Sequence, residues 1–373
     1  MQDRGQVQGK KDKPMVKFKK TLLDKVAFEA ASVFDVNNDG KPDIVCGGNW
    51  YEAPGWKKHK ICDVMPSGEY FDDFSDIPMD VNGDGFLDIV TGGWFGQAMY
   101  WRENPKGKPV EWAVREIDKC GNIETTRPFD IDKDGTQEII PNTPGAPQIV
   151  YKLIVEKNGK GSGRFEKFTL MDRPSGHGLG FGDINGDGRP DIVLSGGWLE
   201  NPPEGLRGKW TFHEEFNLGS ASVPVLVYDV NGDGLADLIV GQAHGIGLYW
   251  YEQRMYQNGK KRCWIMHEID TTLSQFHDMQ MADIDNDGKP ELITGTRYRA
   301  HCGNDPGEDT DIVGLYYFKI SKGRFEKNVI DYGKVPGASG TGIYFAVADI
   351  NGDGRPDIIA PGKEGLFLFE NLG

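Results

Sequence analysis

Cysteine is scarce in this chain of 373 residues. Cys46, Cys62, Cys120, Cys263 and Cys302 are too few and too irregularly spaced for a disulfide scaffold, and the odd count leaves at least one thiol unpaired. Long apolar runs are missing too. None approaches the ~18 residues of a membrane-crossing helix, so no membrane span is expected. Basic residues are in deficit, 42 against 57 acidic, and the formal charge of -15 argues against a nucleic-acid partner. Residues 1–14 are polar and basic, show no signal-peptide core, and read as a disordered tail. What is plentiful is turn-forming. The 51 glycines and 21 prolines, nearly one residue in five, point to many tight turns and an all-β fold.

One pattern recurs seven times: D-x-[DN]-x-D-G-x-x-[DE]-[IL]-[IV]. The copies begin at Asp35, Asp80, Asp130, Asp183, Asp229, Asp283 and Asp349, at spacings of 45, 50, 53, 46, 54 and 66 residues. That period suits one four-stranded propeller blade. Residues 15–373 therefore read as a single seven-bladed β-propeller. Each unit also ends in an aromatic-containing strand, except the last. The missing strand is found at the start of the chain, in VKFKKTLLD from Val16, so the N-terminal strand is expected to complete the last blade and close the ring.

The repeat carries its own chemistry. Oxygen side chains at loop positions one, three, five and nine, with glycine at six for the sharp turn, make a calcium cage. The ligands predicted are Asp35, Asn37, Asp39 and Asp43 in the first loop and Asp80, Asn82, Asp84 and Asp88 in the second. The third offers Asp130, Asp132, Asp134 and Glu138, and the fourth Asp183, Asn185, Asp187 and Asp191. The fifth has Asp229, Asn231, Asp233 and Asp237, the sixth Asp283, Asp285, Asp287 and Glu291, and the seventh Asp349, Asn351, Asp353 and Asp357. Five loops hold three carboxylates and two hold four, a density that repels itself unless cations intervene. Up to seven structural Ca²⁺ ions are expected, which would nearly cancel the net charge. Weak loops of this kind need an extracytoplasmic calcium level, so the protein is expected in the periplasm or outside the cell.

Each acidic loop joins the first strand of a unit to the second. The start of the first strand and the end of the second therefore meet on the opposite face. Six residues before each loop stand Glu29, Phe74, Glu124, His177, Val223, His277 and Ile343, where apolar residues would be ordinary. Near the end of the second strands lie Trp50, Phe95, Trp198, His244 and Tyr298, with Arg297 and His301 alongside in an unusually long sixth unit. His59, His213 and His267 repeat with the blades, three residues after an aromatic, and read as structural. His177, His244, His277 and His301 break the repeat. Neutral imidazoles with carboxylates suit Zn²⁺ or a similar ion, with His177, His277 and His244 as the ligands expected. Trp50, Trp198 and Tyr344, with Trp94, are candidates to stack on a sugar ring, and Glu29 and Glu124 to bind substrate. For Trp50, Trp94 and Trp198 packing between strands is the favoured reading, since they recur in GGNWYE, GGWFGQ and GGWLEN.

The loop pattern resembles the FG-GAP, or VCBS, propeller repeat. Two longer segments, SGHGLGFGDINGDGRPDIVLSGGWLENPPEG from Ser175 and SQFHDMQMADIDNDGKPELITGTRYRAHCGNDPGEDTD from Ser274, resemble the propeller domain of the aldos-2-ulose dehydratases. That resemblance implies dehydration of a keto-sugar at a metal ion, zinc by the resemblance, at the base of the cleft. It carries over to His177, His277, Arg297, Tyr298 and His301. It covers the propeller alone, so steps assigned to further domains of those enzymes should be absent. On this reading His177 and His277 are metal ligands, and His244 is the third ligand or the base. His301 or Tyr298 protonates the leaving oxygen, and Arg297 holds a substrate anion. The expected function is thus a carbohydrate lyase or dehydratase. The alternatives are a polysaccharide lyase acting on uronic acids and a non-catalytic propeller that binds glycan or protein.

Overall fold

The computed structural model describes residues 15–373 except 258 and 260, so the tail expected at 1–14 lies outside the described residues. The described chain is strand after strand, with one short 3-10 turn at Gly205–Arg207. No helix among the described residues is long and apolar enough to cross a membrane. All five cysteines are free thiols.

The strands pair into antiparallel four-stranded meanders. The first runs Ala31–Phe34, Asp43–Cys46, Asn49–Glu52 and Lys57–Lys60 in spatial order. Others begin at Ile77–Met79, Thr125–Phe129, Leu179–Gly182, Val225–Tyr228 and Phe276–Ala282. The last contains Ala346–Ala348, Asp357–Ala360 and Leu366–Asn371, and its outer strand is Phe18–Asp24 from the other end of the chain. The fourth and fifth meanders merge into one eight-stranded sheet through parallel contact of their first strands, Gly180 facing Val225. Glycine is needed there: a Cβ at Gly180 would sit 2.2 Å from the Val225 carbonyl oxygen.

Alternation along the strands leaves apolar residues on both sheet faces, and each face packs on the next sheet. One core joins the first meander to the second through Val45, Trp50, Ile61 and Ile89. Equivalent cores join each later pair, and one joins the last meander to the first through Ala31, Ile44, Ile359 and Leu368. The Ala31 N–H donates to the Tyr344 carbonyl across that junction at 2.8 Å. The many small sheets thus curl back on themselves, as in a β-propeller.

At the axis, where first strands converge, Arg127 ties distant meanders together. Its guanidinium donates to Asp278 at 2.7 Å and to the Val223 carbonyl, and it lies 4.3 Å over the Tyr344 ring. Burial pushes the Asp278 carboxyl up to about 6, against the pull of Arg127. Because both partners are buried, truncating one strands the other. Arg127→Ala should lower unfolding free energy by about 3–5 kcal/mol in urea titration, while Arg127→Met with Asp278→Leu should cost far less.

Candidate metal centre

Four imidazoles converge on one side of this axis. His177 and His277 come from the starts of the fourth and sixth meanders, His244 from a turn in the fifth, and His301 from the long 297–311 segment. Ring centroids lie 4.6 Å apart for His177–His244, 5.4 Å for His177–His277, 3.8 Å for His244–His301 and 6.3 Å for His277–His301. Local backbone explains the aim. Pairing slips between Phe276 and Met279, and this bulge turns both His277 and Asp278 into the protein, fully buried. His177 precedes Gly178, whose φ of 129° and close approach to Ala221 leave no room for a side chain.

Two carboxylates complete the cluster. Glu124 Oε1 lies 2.9 Å from His277 Nε2 and 3.4 Å from His177 Nε2. Asp305 Oδ2 accepts from His244 Nδ1 at 2.9 Å and stands 2.7 Å from His301 Nδ1. Glu124, His177 and His244 form one potential ligand set, Glu124, His277 and His301 a second, and His244, His301 and Asp305 a third. The test of fit is what these atoms bond to. His177 Nε2, His301 Nδ1 and both His277 nitrogens are buried without a hydrogen-bond partner, since the short contacts to the carboxylates are poorly aligned. Buried polar atoms are rarely left so, and three such imidazoles beside two carboxylates suit a cation.

The electrostatics agree. Burial first, then the Arg297 guanidinium, pushes the His277 ring down to about 3 and the His301 ring to about 2. Burial and His177 lower His244 as well. Neutral rings present lone pairs, the form a metal binds. Burial would raise the Glu124 carboxyl, but His177 and His277 outweigh it and hold the carboxyl well below the usual range. With the His277 ring neutral, the fixed positive charge facing Glu124 is Arg297 Nη1, 3.7 Å away.

The expected residues divide. Glu124 and the four histidines stand together, and Arg297 stands behind them. Arg297 is 2% exposed and gives Nε and Nη2 to Glu29 at 2.8 and 3.1 Å, so both are occupied by each other and not open to an incoming anion. Tyr298 points away, its hydroxyl donating to Asp311 at 3.0 Å, a correction to its expected place as proton donor. Trp50 and Trp198 are corrected as well. Each indole is 2% exposed in an inter-sheet core and stacks at 4.3 Å on His59 or His213. Those histidines bind Glu52 and Glu200 in turn, a repeat of packing that leaves no face for a sugar. Tyr344 lies under Arg127 at the axis. Two contributors carried no sequence signal: Asp305 and Glu308. Glu308 accepts backbone N–H groups of His301 and Gly303 and so folds the segment that carries His301. The partly exposed His244 and His301, 30% and 20%, form the solvent-facing side of the cluster. A surface cavity of about 360 Å³ beside Lys152 and Arg207 lies between the third and fourth acidic loops and is lined by no imidazole.

The acidic loops are built alike. In the first, Asp35 Oδ1 and Oδ2 accept the N–H groups of Asp39 and Gly40 at 3.0 and 2.7 Å. Asp43 at position nine accepts from Val36 and Ala53, and burial pushes its carboxyl up to about 6. The glycine at position six has a φ of 86° in that loop, a turn other residues resist.

Residues 80–140 and 229–294 match the FG-GAP-like repeat. No curated protein matches the chain. Two crystal structures of BBS1N in complex with ARL6DN, one soaked with mercury and one with lead, are similar to it at 10% identity. Both alignments cover 96% of this chain and 97% of the other, with TM-scores of 0.53 and 0.51. At that identity the likeness is one of fold.

Proposed function

We propose that this FG-GAP-repeat protein is a seven-bladed propeller that holds a zinc-like ion at the mouth of its ring and uses it on an oxygen-rich substrate. The observation that carries the reading is the set of buried, partnerless imidazole nitrogens gathered around Glu124. When bound, such an ion supplies Lewis acidity toward a carbonyl or carboxylate oxygen. The protein's own groups supply the rest. Neutral His277 and His301 offer nitrogen ligands beside His177, and Glu124 balances charge. Asp305 orients His244, which at 30% exposure is placed to take a proton from substrate. Arg297 is a positioning residue that fixes Glu29 and faces Glu124. The substrate class proposed is a keto-sugar or a uronic-acid glycan, and the step is β-elimination: the base takes the proton beside the carbonyl, the C–C double bond forms as the C–O bond breaks, and the leaving oxygen takes a proton from solvent water. The acidic loops are read as calcium sites, which fits an extracytoplasmic location.

The test is direct. Protein stripped by chelator and then resupplied with zinc should raise ultraviolet absorbance when given keto-sugars or uronate polymers, and stripped protein should not. A flat trace with every substrate overturns the catalytic reading. Retention of the protein on immobilised glycan in that case would assign a binding module. The solved neighbours pair BBS1N with a protein, and this supports a protein-binding face as the second reading. Capture of a partner protein with no response to zinc would favour it.

A further inference from the structure

The seven acidic loops share one consensus, yet they are of two kinds. Strand pairing shows the difference. The pairs Ile44–Tyr51, Ile139–Tyr151 and Leu292–Phe318 fix the register of the second and third strands. One step further, the ninth loop residue faces a charged residue on the third strand. In five meanders that residue is an acid: Glu52, Glu103, Glu200, Glu252 or Glu370. In the third and sixth it is Lys152 or Lys319. Two loop positions change with it. Opposite the acids, position three is asparagine and position nine aspartate. Opposite the lysines, position three is Asp132 or Asp285 and position nine Glu138 or Glu291. The change is concerted in all seven units.

The contacts follow the sequence. Asn82, Asn185 and Asn231 each donate a side-chain N–H to the facing acid at 3.1–3.3 Å. Lys152 Nζ instead lies 2.6 Å from Asp132, 2.7 Å from Asp134 and 2.8 Å from Glu138. Those are the side chains at positions three, five and nine, which a calcium ion would need. Lys319 Nζ lies 2.6 Å from Asp285. In the other loops, the ion pairs that reach these carboxylates are made by Lys41, Lys106, Arg189 and Arg355. Each touches position five alone. A cation entering would meet an ammonium already paired with three of its ligands in the third loop and with Asp285 in the sixth.

We propose that Lys152 and Lys319 are built-in cations that take the place of calcium in the third and sixth loops, so that the protein binds five calcium ions. The inference rests on reading the other five loops as calcium sites. It also explains why the two loops with a fourth carboxylate need no additional ion: the extra acid is matched by the lysine.

The experiment is equilibrium dialysis of chelator-stripped protein against calcium, with bound metal counted per chain by elemental analysis. Wild-type protein should hold five ions. Lys152→Met and Lys319→Met should each add one, and the double variant should hold seven. Seven ions in the wild type overturn this inference and leave the calcium reading intact. A double variant that folds, by circular dichroism, and still holds five also overturns it. No calcium in any loop sinks the calcium reading and this inference together. The wild-type count decides the matter even if a variant fails to fold.

Discussion

Removal of calcium should lower the melting temperature by about 10 °C. Each loop of the acid-faced kind gathers three carboxylates within a single turn, and their repulsion opposes the native state. A ligand that binds only the folded chain stabilises it by RT ln(1 + [L]/Kd). At roughly 1 mM calcium and a Kd of about 0.1 mM, that is about 1.4 kcal/mol per loop. Five such loops contribute about 7 kcal/mol. With an unfolding entropy of about 2.1 cal/mol/K per residue, the corresponding shift for a chain of this length is near 10 °C. Scanning calorimetry with calcium and then with excess chelator measures it. A shift below about 2 °C would mean that the loops' internal hydrogen bonds suffice. Those bonds are extensive: Asp35, Asp80 and Asp183 each accept two or more backbone N–H groups of their own loop. They set the turn's shape, but they leave the charge uncompensated.

Replacing His277 with alanine should weaken zinc binding more than about a hundredfold, beyond the 10–100-fold typical of residues that only support a ligand. Zinc-dependent turnover should fall with it. Stability of the metal-free protein should change little. The variant opens a cavity, which costs free energy, but it also removes two ring nitrogens that are fully buried and unbonded. Titration with zinc by calorimetry and a urea melt of each protein separate the two effects. Unchanged zinc affinity together with a loss of several kcal/mol in the melt would make His277 a packing residue.

Much of the architecture was legible because the acidic repeat is a metronome: its period marks the meanders, and the strand missing at one end stands at the other. The four histidines of the cluster were legible for the opposite reason, since they depart from that period. Trp50 and Trp198 were misleading as sugar platforms, although the signal that corrects them was present. His59 and His213 recur at fixed spacing from an aromatic, and the stacked Trp–His pairs are that repeat made visible. Tyr298 lies in a turn just past the Glu291–Thr296 strand, where strand alternation no longer fixes which way a side chain points. Asp305 and Glu308 sit in an irregular segment where no periodicity fixes direction. The loop lysines were hidden differently. Lys152 and Lys319 lie 14 and 28 residues beyond the position-nine acids they face, and only strand register brings them together.

The non-repeating imidazoles should form a metal site. Crystals grown with zinc, and measured on both sides of the zinc absorption edge, test it in one map. An anomalous peak should stand between His177, His244, His277 and His301, within bonding distance of Glu124. A map with no peak there, in crystals whose acidic loops are occupied, would contradict the account and leave a ring with no catalyst at its mouth.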